Sequence, residues 1–207
     1  MRISDSGSRS AMLPAMRKLD TAHKRLASGK RITTAADDAA GLAISEKLSA
    51  QVRSLEQASR NIDHGSALTR IADGALSSQG DNLVRMRELA MQAANGTLSD
   101  GDRAAIQSEF SALREEVDRV GASTEFNGQQ LLAGEEISIQ VGPNAGGENA
   151  ITITTPTVSS AALGLDGIDL SSADGARDAL ASIDAASETL SAARGSIGAA
   201  ENRMTYA

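Results

Sequence analysis

The sequence contains no cysteine and no tryptophan, and its aromatic rings amount to two phenylalanines and one tyrosine. Without cysteine there is no disulfide scaffold, zinc ribbon, iron–sulfur site or thiol nucleophile. Without large rings, Leu, Ile, Val, Met and Ala must fill the space between elements, and Ala alone occurs 37 times in 207 residues. That composition favours long helices packed close together over a thick enzyme core, and it leaves little for stacking nucleic-acid bases. No apolar run approaches the ~18 residues of a membrane span. The N-terminus is basic but lacks the apolar stretch of a Sec-type signal peptide, so leaving the cell would require another route.

Chemistry is equally sparse. His23 and His64 are the only histidines, and neither has a second ligand one helical turn away. No HExxH, GxSxG or GxxxxGK[ST] pattern is present. The glycine-rich stretch from Gly142 to Gly147 lies between strand-like segments rather than before a helix, so it reads as a hairpin turn. Asp37-Asp38 reads as a helix cap and Glu115-Glu116 as a solvated face, since acid/base pairs need a sheltered pocket. Asn95-Gly96-Thr97 fits a glycosylation sequon but is first of all a turn signal. These readings point away from an enzyme and call for no metal or cofactor.

What is present is charge asymmetry and helical periodicity. The net charge is −7, yet residues 1–35 hold eight basic side chains against Asp5 and Asp20. A basic arm on an acidic body fits nucleic acid, an anionic surface or docking against acidic neighbours. The acidic body and scarce aromatics disfavour nucleic acid.

A first helix is expected from about Pro14, through Leu19, Ala22 and Leu26, to an interruption at Gly29. Residues 39–94 contain no proline. Seven-residue phasing puts Leu55, Ile62, Thr69, Leu76, Leu83 and Ala90 at one seam position, and Ala58, Gly65, Ala72, Gln79, Met86 and Ala93 at the other. This is a coiled-coil seam, with curvature or a break expected at Gly65, Gly74 and Gly80. After the Asn95-Gly96 turn, Ser99 or Asp100 caps a helix over about 100–121 carrying Ile106, Phe110, Leu113, Val117 and Val120. Alternation at Ile137, Ile139 and Val141, then Ile151 and Ile153, predicts a β-hairpin over about 137–154. A last helix over about 173–207 carries Ile183, Ala186, Leu190, Ala193, Ile197, Ala200 and Met204. Its period is intact where the sequence stops, so the natural chain is expected to continue. The fold class is mainly α: an elongated, antiparallel, coiled-coil-like bundle with a small β-hairpin. Its intramolecular seam is expected from Leu55, Ile62, Leu76, Leu83, Ile106, Phe110, Leu113, Val117, Ile183, Leu190 and Ile197.

Several motifs follow one another in order. Arg25-Leu-Ala-Ser-Gly-Lys-Arg-Ile32 and Ala36-Asp-Asp-Ala-Ala-Gly-Leu-Ala-Ile-Ser45 resemble the N-terminal signature of bacterial flagellin. Gln57-Ala-Ser-Arg-Asn-Ile-Asp63, Arg85-Met-Arg-Glu-Leu-Ala-Met-Gln-Ala-Ala-Asn-Gly-Thr97, Asp118-Arg119, Thr124-Glu-Phe-Asn-Gly128 and Gly198-Ala-Ala-Glu-Asn-Arg203 continue the likeness. It covers most of residues 25–132 and resumes in the last helix.

The resemblance implies a structural subunit of the extracellular flagellar filament. Such a subunit is exported without a cleaved signal through the type III channel, met by export chaperones, and polymerised beneath a cap with copies of itself. It implies an inner-tube segment over residues 1–36 and an outer core over 37–207, without the variable outer domains of longer members. It also implies contact with the vertebrate Toll-like receptor five through Arg85, Leu89 and Glu109. Met1-Arg-Ile-Ser4 looks more like the hook–filament junction protein, which supplies the alternative reading. The segment from Ile3 to Arg25 is shorter than usual, and the family's final inner-tube helix is missing after Arg203.

Overall fold

The computed structural model describes residues 6–207, with side chains from residue 12. Met1 to Asp5, which include the junction-like start, lie outside the described residues. The elements are α1 (Ser6–Ser28), α2 (Ala39–Ala93), α3 (Asp100–Ser123), β1 (Glu125–Phe126), β2 (Gln129–Gln130), β3 (Glu136–Gln140), a short 3-10 turn (Gly147–Asn149), β4 (Ala150–Thr154) and α4 (Ala173–Thr205). The chain divides into two compact units, residues 1–54 and 55–207.

In the first unit, α1 begins earlier than its proline suggests. Pro14 sits inside the helix, where its missing N–H removes a single i→i−4 bond. Gly29, at φ 65°, ends the helix. The following loop folds around Asp37, whose Oδ2 accepts from the Thr33 N–H, the Thr33 hydroxyl and the Thr34 N–H. Those donors hold the Asp37 carboxyl below the usual carboxylate range, backbone and hydroxyl of Thr33 foremost. Asp38 then caps α2, its Oδ1 accepting from the Gly41 N–H at 2.8 Å.

In the second unit, α2 presents its seam to two antiparallel neighbours. Contacts with α4 run in reverse order: Arg70 meets Glu201, Asp73 meets Arg194 and Arg87 meets Asp184. Contacts with α3 do the same, with Gln79 donating to the Val117 carbonyl and Arg85 pairing with Glu109. Between these polar edges lie Leu76, Leu83, Met86, Phe110, Val117, Ile183 and Ile197, all essentially buried. The full burial of Thr69 and Gln79 at seam positions costs little, because each side chain is hydrogen-bonded. No buried side-chain donor or acceptor among the described residues lacks a partner.

No break falls at the α2 glycines: the helix runs continuously through Gly65, Gly74 and Gly80. Gly65 serves close packing instead. A β-carbon there would come within 2.6 Å of Met204 Sδ and 3.3 Å of Ile139. One Gly penalty of up to about 1 kcal/mol is small beside the burial of a whole stripe.

The capping box of α3 is complete: Ser99 accepts from the Asp102 N–H, and the Asp102 carboxylate accepts from the Ser99 N–H and hydroxyl. Strands β3 and β4 pair antiparallel, with Ile137 opposite Ile153 and Ile139 opposite Ile151. The inward side chains of β4, Ile151 and Ile153, are buried, and the strand lies against α4. A second, two-residue pairing of β1 with β2 turns through Asn127 and Gly128, both at positive φ. The connection from β4 to α4 is tied down at both ends. Asp118 accepts from the Ser160 N–H and hydroxyl at 2.7 and 2.8 Å. Gln107 Oε1 accepts from the Leu170 N–H at 2.6 Å.

Candidate functional site

Two surfaces carry the residues singled out by the sequence. The first lies in the N-terminal unit. Met12, Leu13, Met16, Leu19 and Leu26 on α1 and Ile44, Leu48 and Val52 on α2 are all more than half exposed. The α2 trio is spaced i, i+4, i+8, which places it on one face. Scattered exposed apolar side chains need no explanation, but stripes repeated on helical spacing do. Arg25 approaches Asp37 at 3.6 Å beside this region.

The second surface is the α2/α3 edge of the other unit. Arg85 Nε and Nη2 donate to Glu109 Oε1 at 2.9 and 2.7 Å, and Nη1 donates to Glu88 Oε2 at 3.0 Å. The Glu109 hydrogen bond, followed by the one to Glu88, raises the Arg85 pKa above its ordinary value. All three side chains remain about half exposed, so this cluster is a surface network worth little to stability. Leu89 does not share the surface: it is 1% exposed. Of these two residues only Arg85 is open to solvent. Four residues turn a helix about 40° beyond a full circle, enough here to carry Leu89 from the rim into the core.

The expected seam residues are distributed unevenly. Leu76, Leu83, Ile106, Phe110, Val117, Ile183, Leu190 and Ile197 are buried, while Ile62 and Leu113 are partly buried against the same cluster. Leu55 is 49% exposed and does not join the intramolecular seam. The physical reason is length. Met204, near the end of α4, lies beside Gly65, and Leu55 is ten residues earlier on α2, about 15 Å along the axis.

Arg103 is a structural residue the sequence does not announce. It is 7% exposed, and its guanidinium donates to the Ala93 and Asn95 carbonyls at 3.1 and 2.9 Å, closing the C-terminal end of α2. Its position four residues after the Ser99 cap is the one available hint. Among the described residues no cluster of three or more His, Asp or Glu side chains is arranged to hold a metal ion, and no helix is long and apolar enough to cross a membrane.

Residues 3–136 match the family pattern described as the bacterial flagellin N-terminal helical region. A flagellin of Halalkalibacterium halodurans is 41% identical over 187 residues, which cover 89% of this chain and 69% of that protein. A Salmonella muenchen flagellin is 42% identical over 80% of this chain, which spans 33% of that longer protein. Among solved structures, Bacillus cereus flagellin superposes with a TM-score of 0.64 at 28% identity, covering 72% of this chain and 86% of that one. With its family pattern matched over most of its length and flagellins as its relatives, the chain belongs to the bacterial flagellin family, whose members are structural proteins and not enzymes.

Proposed function

We propose that this chain is a subunit of the extracellular flagellar filament, exported through the type III channel without a cleaved signal and assembled with copies of itself under a cap. Export chaperones are the other partners of this reading. The observation that carries it is the set of exposed apolar residues in the first unit, Met12, Leu13, Met16, Leu19 and Leu26 on α1 and Ile44, Leu48 and Val52 on α2. Burying such stripes between copies contributes about 25 cal/mol per Å² of apolar surface removed from water, which is the driving force for polymerisation. Residues 1–36 are assigned to the inner tube and 37–207 to the outer core. Contact with Toll-like receptor five is assigned to Arg85 and Glu109, with Leu89 supporting them from within.

The test is seeded polymerisation. Purified protein added to short filament seeds should elongate them under electron microscopy. Leu48→Asp should stop elongation while leaving the thermal unfolding of the second unit unchanged. Failure of the full-length protein, with both terminal regions intact, to elongate seeds would remove the filament reading.

A further inference from the structure

Two Asn-Gly pairs occur in the chain, Asn95-Gly96 and Asn127-Gly128, and both lie in exposed turns. Such a pair is chemically unstable wherever the glycine backbone nitrogen can reach the asparagine side-chain carbon, because glycine has no β-carbon to shield that nitrogen. The structure holds the two pairs in opposite ways. Asn127 sits in the left-handed region, at φ 52°, between the paired strands β1 and β2. In that region ψ is about +47°, which turns the next nitrogen nearly anti to the β-carbon. The Gly128 nitrogen is thus directed away from the Asn127 amide, and only opening the two-residue turn brings them together.

Asn95 curls the other way. Its Oδ1 accepts from the Thr97 N–H at 3.1 Å, so the side chain folds forward over the Gly96 peptide and Cγ lies on the side of the Gly96 nitrogen. The same N–H polarises the amide and stabilises negative charge developing on Oδ1. Among the described residues no hydrogen bond engages Asn95 Nδ2 or the Gly96 N–H, so neither leaving group nor nucleophile has to be freed. We propose that Asn95 is a site of intramolecular deamidation. The Gly96 nitrogen gives its proton to water or hydroxide and bonds to Asn95 Cγ. The Cγ–Nδ2 bond breaks and Nδ2 leaves as ammonia. Water then opens the succinimide at either carbonyl, breaking one carbon–nitrogen bond and leaving aspartate or isoaspartate. Water is the one co-reactant, and the turn joining α2 to α3 gains a negative charge. In the isoaspartyl form the former Asn95 main-chain carbonyl becomes a carboxylate. It faces the Arg103 guanidinium that already donates to it at 2.9 Å, so an ion pair takes the place of that contact.

The test incubates the full chain in mildly alkaline buffer and follows each asparagine by peptide mass spectrometry, with isoaspartyl methyltransferase labelling of the products. In the folded chain Asn95 should convert about tenfold or more faster than Asn127, whose turn must first open. In urea the two rates should come within about threefold of one another, because the turns that separate them are gone. Conversion should rise with pH, since the attacking nitrogen must lose its proton. A β-carbon on Gly96 would meet nothing within 4 Å, so Gly96→Ala should keep its circular dichroism while slowing conversion at Asn95 severalfold. Folded Asn127 converting as fast as Asn95 would overturn the proposal. So would conversion of Asn95 only in urea, or a Gly96→Ala variant that converts at the parent rate.

Discussion

The carbonyl oxygen of Val158 occupies the space that a β-carbon on Gly121 would need. This contact brings the chain after β4 directly onto the last turn of α3, and the neighbour is backbone, which cannot rotate away. Gly121→Ala should therefore destabilise the protein by about 1–3 kcal/mol through overpacking, read as a drop in thermal midpoint by circular dichroism. Gly74 is the contrast, because nothing lies within 4 Å of the position its β-carbon would take. Gly74→Ala should stabilise by up to about 1 kcal/mol. Equal effects from the two substitutions would contradict the packing described.

The edge between α2 and α4 offers a comparison of charge with burial. Asp73 and Arg194 form two hydrogen bonds, at 2.9 and 3.3 Å, yet both side chains are more than 40% exposed. Removing either should cost well under ~1 kcal/mol. Ile183→Ala, at a fully buried position on the same helix, should cost about 2–5 kcal/mol. Urea midpoints of the single variants and of the Asp73/Arg194 double-mutant cycle measure both. The pairs then act chiefly to set the register of α4 on α2, and a charge reversal at Arg87 alone should place like charges opposite Asp184.

The seam through Leu76, Leu83, Ile183 and Leu190 is legible in the sequence because burial on one helix face imposes a period that no loop shares. The hairpin of β3 and β4 is legible because Ile151 and Ile153 alternate with threonines. Leu89 is not, since a heptad template assumes one partner. α2 has two, so positions adjoining the seam, Leu68 and Leu89, are buried as well. Gly121 resembles a helix terminator, yet α3 runs on to Ser123, because this glycine answers a tertiary contact that local sequence does not encode. The pairing of β1 with β2 involves two residues per strand, too few to show alternation, and Asn127-Gly128 marks the turn without naming what pairs beside it. The exposed face of α1 and α2 is legible as amphipathic, but what covers it is not written in one chain.

Leu89 and Arg85 should separate in their effects. Arg85→Ala removes an exposed network with Glu109 and Glu88 and should leave the thermal midpoint essentially where it is in the parent. Leu89→Ala opens a cavity in the core and should cost about 2–5 kcal/mol. If receptor signalling is then measured on cells, Arg85→Ala should reduce it with stability intact. A loss caused by Leu89→Ala should instead track unfolding, and recover when the assay temperature is lowered.

Acid should loosen the start of α3. Hydrogen bonds from the Ser99 hydroxyl and N–H hold the Asp102 carboxyl below the usual carboxylate range, and the helix dipole favours the same charged form. A carboxyl whose folded pKa is depressed binds its proton more readily when unfolded. Its contribution is present above the unfolded value near 4 and fades as pH falls through the lower folded one. Asp102→Asn should thus lower the urea midpoint at pH 7, and the gap from the parent should shrink toward about pH 2–3. A gap that widens on acidification would reverse the sign and refute the assignment.

Arg103 supplies the last prediction. Its stem is enclosed while its guanidinium satisfies the carbonyl that α2 leaves unpaired at its end, that of Ala93, and adds a donor to the Asn95 carbonyl, which also accepts from the Leu98 N–H. An exposed partner, Asp100, stands 3.6 Å away and is too solvated to account for the burial. If closing the helix end is its role, Arg103→Met keeps most of the apolar stem but strands the Ala93 carbonyl, and should cost about 1–3 kcal/mol. Arg103→Lys retains charge without the planar fork, so it should recover part of the loss. Asp100→Asn should change almost nothing. Hydrogen exchange locates the effect: the Arg103→Met variant should lose protection first in the last turn of α2 and the turn at 94–98, with the α2–α4 seam still closed.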